Sequence, residues 1–573
     1  MPPARSPLPS PFTAVGRVAW WIAAGAVVAM LAAAPYRLFE LDRFFVPKEI
    51  VLLLTATAAC WAAAPLARDD APRGPALDRV VDAALALYLA ASAVSALFAP
   101  SGWLAARALA ITAAGAALFW TARGAARRGA ACPILAALVA AVALAAATAL
   151  LQAYGVHSDY FSVNRAPGGT FGNRNFVAHL CAVGLPLAAY AALRVRRFLL
   201  ALAAVLTTLA LGAMLVLSRS RGAWIAGAVA GVPLAIGLLR AATLARAARA
   251  VPAAAAVTTA WRPRPGRIAL LLVALGAGAA AAIRVPNTLD WRSDSPYLDS
   301  VKGVVDYKEG SGHGRLEQWR NSAQLLAGDP VLGVGPGNWS VRYPLVAPAG
   351  DPSLTEDHTT ANPWPSSDPV AVGSERGVLG LATLGVVAFG LALTAHRAMW
   401  GAGWSSEGAR GPPTGAAACA LAGGALGGVL AATLVAGAFD AVLLLAAPTV
   451  VVWPGLGALS ALATEGVTPA PRRRLPCATI ARAGAVVLAL GAALAVAHGA
   501  AMPLYENGGA AGARTAARLA PGDYRIRLRA ATLALGRGDC ADARAHAEAA
   551  HTLAPRAGAP RRVLVACGRR RTR

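Results

Sequence analysis

The chain has 573 residues, 57% of them hydrophobic and only 14% charged, with 53 Lys and Arg against 28 Asp and Glu and a formal net charge of +25. A soluble chain of this length would carry about a quarter charged residues and divide into several domains; this composition excludes that class and predicts an all-α, polytopic transmembrane helix bundle. The surplus of arginine does not indicate nucleic-acid binding, because the arginines sit in short loops between apolar runs, as membrane topology requires.

Taken in chain order, apolar runs of about 20 residues, each able to cross roughly 30 Å of hydrocarbon, predict twelve or thirteen spans. They lie near 18–35, 49–66, 80–98, 103–122, 131–153, 175–193, 198–217, 221–239, 268–285, 377–395, 414–437, 440–462 and 481–500. The first lacks a small-residue cleavage site and is followed by further spans, so it reads as a retained helix and not a signal peptide. With a cytoplasmic N-terminus, the inner loops collect Arg68, Arg73, Arg79, Arg123, Arg127, Arg128, Arg194, Arg196 and Arg197. They also collect Arg240, Arg246, Arg249, Arg262, Arg264, Arg267, Arg397, Arg410 and Arg472 to Arg474. That bias orients the chain in a bacterial inner membrane. Arg37, Arg43 and Lys48 are exceptions, falling in the first outer loop.

This map divides the chain into a membrane domain, 1–500, and an outer tail, 501–573, with a large net-acidic outer loop at about 286–369. In the tail, Leu519-Ala520-Pro521 recurs as Leu553-Ala554-Pro555 after 34 residues, the tetratricopeptide period. A helix from Tyr524 to Leu535, a turn at 536–539 and a helix from Ala541 to Leu553 are predicted between them. Such a tail is either a docking module for a protein partner or a hairpin packed on its own membrane domain; one repeat alone buries little core. Cys540 and Cys567 both fall here, where a disulfide could persist. No Cys/His cluster has metal-ligand spacing, and neither a phosphate-binding glycine loop nor a Gly-x-Ser-x-Gly elbow is present.

Arginine on the outer side runs against the topological bias, so those positions are the candidates for chemistry. Arg174 follows Gly168-Gly169-Thr170-Phe171-Gly172-Asn173, and Arg219 and Arg221 lie in Ser218-Arg219-Ser220-Arg221-Gly222 between two spans. Arg221 is placed at head-group depth, where a guanidinium can grip phosphate oxygens two at a time; Arg219 reads as an interfacial anchor. In the large loop, Arg315 opens an amphipathic stretch with apolar positions 316, 319, 323 and 326, expected as a helix along the membrane surface. Leu316 and Trp319 are expected there as packing residues, and Arg315 is unfavourably placed for the helix dipole. Arg320 is a further cation on the same stretch.

Four blocks, in order, resemble the O-antigen ligase and polymerase family of membrane glycosyltransferases. They are Gly169-Thr170-Phe171-Gly172-Asn173 through Phe176; Ser220-Arg221-Gly222-Ala223-Trp224; Gly314-Arg315-Leu316 through Trp319 with Gly333-Val334-Gly335-Pro336-Gly337-Asn338; and Glu375-Arg376-Gly377-Val378-Leu379-Gly380-Leu381. The resemblance implies glycan transfer from an undecaprenyl-pyrophosphate carrier at the outer membrane face, without metal or nucleotide cofactor. The acceptor it implies is lipid A core for a ligase, a second carrier-bound glycan for a polymerase, or a protein for an oligosaccharyltransferase. By this resemblance Arg221 and Arg315, then Arg174 and Arg320, bind the pyrophosphate. The family commonly places a histidine shortly before the last block; here Ser366 stands in its place, and Asp368 or His358 is left as the candidate base. A reading of another class is a lipid-linked sugar transporter using the same arginines without bond cleavage. Transporters usually carry mid-membrane charges and duplicated spans, which this chain lacks.

Overall fold

The computed structural model describes residues 10, 12–36, 42–67, 75–162, 164–248, 264–291, 293–303, 310–401, 415–465 and 477–571. Of the arginines named above, Arg37, Arg68, Arg73, Arg249, Arg262, Arg410 and Arg472 to Arg474 lie outside these residues. Among the described residues the only strand-like pairing is a single bridge between Leu354 and Thr360; the rest of the architecture is helical, as the composition requires.

The membrane bundle begins with α1 (Ala14–Leu31), α2 (Val46–Ala63), α3 (Ala76–Leu97), α4 (Gly102–Ala125) and α5 (Ala131–Ala153). It continues with α6 (Arg174–Arg194), α7 (Phe198–Ser218), α8 (Arg221–Ala247) and α9 (Pro265–Arg284). The large loop contains α10 (Pro296–Lys302), α11 (Gly310–Gly328) and α12 (Trp339–Val346). The bundle resumes with α13 (Asp368–Trp400), α14 (Ala416–Phe439), α15 (Ala446–Ala463) and α16 (Cys477–Asn507). The tail is α17 (Gly509–Leu519), α18 (Tyr524–Gly536), α19 (Cys540–Leu553) and α20 (Gly558–Arg571).

Twelve described helical stretches are long and apolar enough to cross a membrane, and the longest, Gly102–Ala153, has 52 residues. At 1.5 Å per residue it would be roughly 78 Å long, far more than one bilayer. It is broken at Arg128 and Gly129, the latter at φ 92, and its halves fold back. The first turn of α4 lies against Gly337, and Ala153 at the end of α5 accepts from Thr288 N at 2.9 Å. Both contacts are with the large-loop region, so this stretch supplies two candidate spans and the described helices thirteen. In α13, Gly377 adopts φ 64 and joins a short helix, from Asp368, to the spanning helix that follows; the predicted start at 377 is this junction.

Alanine and glycine let the helices approach closely, since small residues at an interface bring backbones together. A Cβ on Gly237 of α8 would come within 2.6 Å of Gly424 Cα on α14. The central element is α15, with Val450, Val451, Val452 and Leu459 fully or almost fully enclosed.

The large loop and the tail lie at the same end of the bundle. Asp357 of the loop accepts from Tyr524 Oη at 2.9 Å, Ala559 N at 3.0 Å and Arg562 Nη2 at 3.2 Å. Arg556 donates to Pro344 O and Ala347 O at 2.6 and 2.7 Å. The predicted helix–turn–helix is present as α18 and α19, and Leu519-Ala520-Pro521 and Leu553-Ala554-Pro555 each close a helix. Cys540 and Cys567 are joined in a disulfide, Cα–Cα 5.4 Å.

The exceptions to the charge bias have a local explanation. Arg43 is buried and donates to Asp159 O and Phe161 O at 2.5 and 2.8 Å, and buried Lys48 donates to Thr170 O at 2.8 Å and to Ala32 O. Both cations satisfy backbone carbonyls at helix ends and turns, where a buried orphan would be costly.

Candidate functional site

The four sequence blocks divide into scaffold and site. In the first, Gly168 N and Gly169 N donate to Gln152 Oε1 at 2.9 and 2.7 Å, and Thr170 Oγ1 donates to Met30 O at 2.5 Å. Gly172 takes φ 75 against the Phe44 ring, where a Cβ would collide. These contacts seat Asn173, whose side chain accepts from Asn175 N at 3.0 Å and caps α6. The glycine run of the third block is likewise scaffold. Val334 N and Gly335 N donate to Ser374 O and Glu375 O, both at 2.9 Å, and Asn338 Oδ1 accepts from Ser101 N at 2.7 Å.

The scaffold opens a cavity of about 530 Å³ at the large-loop end of the bundle. Its wall is formed by the start of α6, the α7–α8 turn, α10, α11 and the end of α14. Among the described residues, five arginines, Arg165, Arg174, Arg219, Arg221 and Arg315, line it against one carboxylate, Asp299. Arg174 and Arg221 are the first residues of α6 and α8, and the Ser220 side chain makes no capping bond. The positive ends of two helix dipoles therefore lie beside the guanidinium groups, an arrangement that favours anions.

Arg219 sits in the left-handed region, φ 54, which turns its side chain back toward the loop, and its Nε donates to Ser300 Oγ at 2.8 Å. Arg174 and Arg219 lie over the Trp291 ring, 5.2 and 4.8 Å from its centroid. Arg221 donates to Gly303 O. Arg174, Arg219 and Arg315 form no ion pair with a described carboxylate. Like charges lining one cavity repel one another. A multivalent anion reverses that sign.

The structure brings Arg174, Arg221 and Arg315 together, as candidates placed on three separate segments. Arg320 is exposed on α11 and does not line the cavity. Arg219, expected as an anchor, lines it. Leu316 and Trp319 face the cavity, while the buried face of α11 is Gln318, Asn321, Ser322 and Leu325. That face is mostly polar because it bonds to the loop: Gln318 Oε1 accepts from Ser366 N at 2.6 Å, Asn321 donates to Asp351 at 2.9 Å, and Ser322 Oγ accepts from Trp339 Nε1 at 2.9 Å.

Neither candidate base lines the cavity. Asp368 is buried, and its two oxygens accept from Val442 N at 3.0 Å and Leu443 N at 2.9 Å. His358 is exposed at φ 58, in the turn closed by the Leu354–Thr360 bridge, beside the Asp357 that holds the tail. The cavity instead contains His179, one turn along α6 from Asn175, with both residues on its wall. A lone histidine four residues after Asn175 in an apolar span was the available signal for it. Among the described residues, one group has metal-ligand proximity: Asp42, His498 and Asp523, at the tail junction and away from the cavity. Arg525 Nη2 already faces its carboxylates, 3.0 Å from Asp42 and 3.5 Å from Asp523. Burial opposes the charge on Asp523, yet Arg525 and His498 outweigh it and hold that carboxyl below the usual range.

Residues 203–385 match the family model described as O-antigen ligase. The matched stretch contains Arg219, Arg221, Ser300, Arg315 and Trp319 of the cavity wall, and excludes Arg174, His179 and Phe439. No curated protein matches the chain.

Proposed function

The chain carries an O-antigen ligase domain at residues 203–385, and on that premise we propose that it transfers glycan from an undecaprenyl-pyrophosphate-linked oligosaccharide to an acceptor, as a ligase does to lipid A core. The observation that carries this reading is the cavity on which, among the described residues, five guanidinium groups, one carboxylate and two helix N-termini converge, set where membrane helices begin. A lipid diphosphate has its charge at that depth and its chain in the bilayer.

In this reading Arg174, Arg221 and Arg315 hold the pyrophosphate, with Arg219 and Arg165 as additional cations; Arg320 has no part. Charge grows on the leaving diphosphate as its bond to the sugar breaks. Preorganised guanidinium groups in a partly dry site favour that state over the ground state. They supply the counter-charge that a metal ion would otherwise bring. The bundle end bearing the large loop and the tail faces the periplasm, which the arginine-rich loops at the other end support. A polymerase or an oligosaccharyltransferase would share this donor site and differ in acceptor.

The test is glycan transfer by purified protein in liposomes, in the presence of a chelator. The donor is an undecaprenyl-pyrophosphate oligosaccharide, and lipid A core or a second donor molecule is the acceptor. Product with lipid A core that is lost in Arg221→Ala and Arg315→Ala supports the ligase reading. Product only with a second donor molecule moves the assignment to a polymerase. Donor movement across the bilayer without any glycosylated product overturns transfer in favour of transport.

A further inference from the structure

We propose that His179 accepts the proton of the attacking acceptor hydroxyl, an inference that rests on the donor reading above. His179 projects from α6 into the wall of the cavity that holds the arginines, and it is the only histidine there among the described residues. The residue is 2% exposed, and Nδ1 is enclosed without a hydrogen-bond partner. A buried imidazole in an apolar span, left with an unmade bond, is explained by a ligand more readily than by packing. Trp319 Nε1, on the same cavity wall, is also enclosed and unpartnered. Two residues of this wall therefore each keep a polar atom whose hydrogen bond the protein itself does not make.

The charged groups that act on His179 are Asp440, from the α14–α15 turn, and Arg315, from α11. Asp368 enters indirectly. By binding Val442 N and Leu443 N it fixes the turn that carries Asp440 and follows Phe439, a cavity residue. Asp368 is thus a positioning residue, and His179 takes the place left open by Ser366.

The step is balanced within the site. The acceptor oxygen forms a bond to the anomeric carbon of the donor sugar while the bond from that carbon to the diphosphate oxygen breaks. The electron pair of the broken bond leaves on the diphosphate, between the arginines. The hydroxyl proton passes to neutral His179 and is released to water when the product departs.

Transfer and donor binding are to be measured separately for wild type, His179→Gln and His179→Ala in liposomes, with thermal midpoints recorded. The expected result for both variants is a fall in transfer of about 100-fold or more, the usual range for a general base, with donor affinity within about threefold of wild type. Added imidazole should restore part of the His179→Ala activity. Transfer by His179→Gln at the wild-type rate overturns the proposal, and so does a loss of donor binding as large as that of Arg221→Ala. If neither variant accumulates folded, the pH profile decides. Asp440→Asn removes a negative charge beside His179, so the acidic limb of transfer should move to lower pH; an unmoved limb overturns the proposal. Absence of transfer by the wild type from any diphosphate donor would instead overturn the donor reading itself.

Discussion

The two ends of the bundle use arginine in opposite ways. At the end away from the large loop, arginines are matched to partners. Arg123 pairs with Asp78 and Asp82, Arg127 with Asp78, Arg128 donates to Leu66 O, Arg267 to Ala192 O, and Arg240 to Met399 O. These cations neutralise carboxylates or close helix C-termini, where the dipole favours them. At the loop end, five arginines converge on one cavity in which Asp299 is the one carboxylate among the described residues, and Arg174, Arg219 and Arg221 donate to Ala166 O, Ser300 Oγ and Gly303 O. The count of arginines is therefore a weak guide to function; their convergence from separate segments on one cavity is the informative quantity.

The largest test of this contrast is at the cavity. Arg221→Ala and Arg315→Ala should each lower the transfer rate by about 10²–10³, the range seen when one preorganised charge partner of a transition state is removed, with little loss of thermal midpoint. At the opposite end, Arg123→Ala leaves buried Asp78 short of a counter-charge. Arg127 still faces Asp78, so the change should cost about 1–3 kcal/mol of stability, read as a lower melting midpoint, while the folded fraction retains normal donor affinity. Equal effects on transfer at both ends would break the distinction.

Inorganic pyrophosphate sharpens it from the ligand side. At a hundred times its dissociation constant it should stabilise the wild type by about 2.7 kcal/mol, seen as a rise in melting midpoint that shrinks in high salt. The Arg174→Ala/Arg221→Ala double variant should lose most of that rise, whereas Arg123→Ala should keep it. The smallest expected effect is that of Arg320→Ala, which removes an exposed cation from the helix that carries Arg315. Transfer should stay within about twofold of wild type, as is usual for surface positions away from a site.

Much of the bundle was legible because a span signals itself by length and apolarity alone. All thirteen runs correspond to helices, including the two halves of the bent α4–α5 stretch. The cavity arginines stood out in the sequence for the complementary reason, that they fall in segments expected on the outer side, against the charge bias. What sequence could not reveal was convergence. Arg219 looked like a lone anchor because the left-handed turn that redirects it is a backbone property. The apolar spacing of α11 correctly predicted a helix and misled about its packing face, since polar side chains bonded to the loop bury more completely than its leucine and tryptophan. Asp368 and His358 were selected by nearness in sequence to the missing histidine, whereas His179 reaches the cavity from a helix almost 190 residues earlier.

The clasp on Asp357 also sets an order of events during synthesis. Its partners Tyr524 and Arg562 follow it by 167 and 205 residues. At roughly 5–20 residues per second, the ribosome needs on the order of 10–40 s to deliver them after the loop has emerged. Throughout that interval Asp357 and the carbonyls of Pro344 and Ala347 wait uncapped. Truncation before Tyr524 removes these donors, so the loop around Asp357 should become more accessible to an added protease.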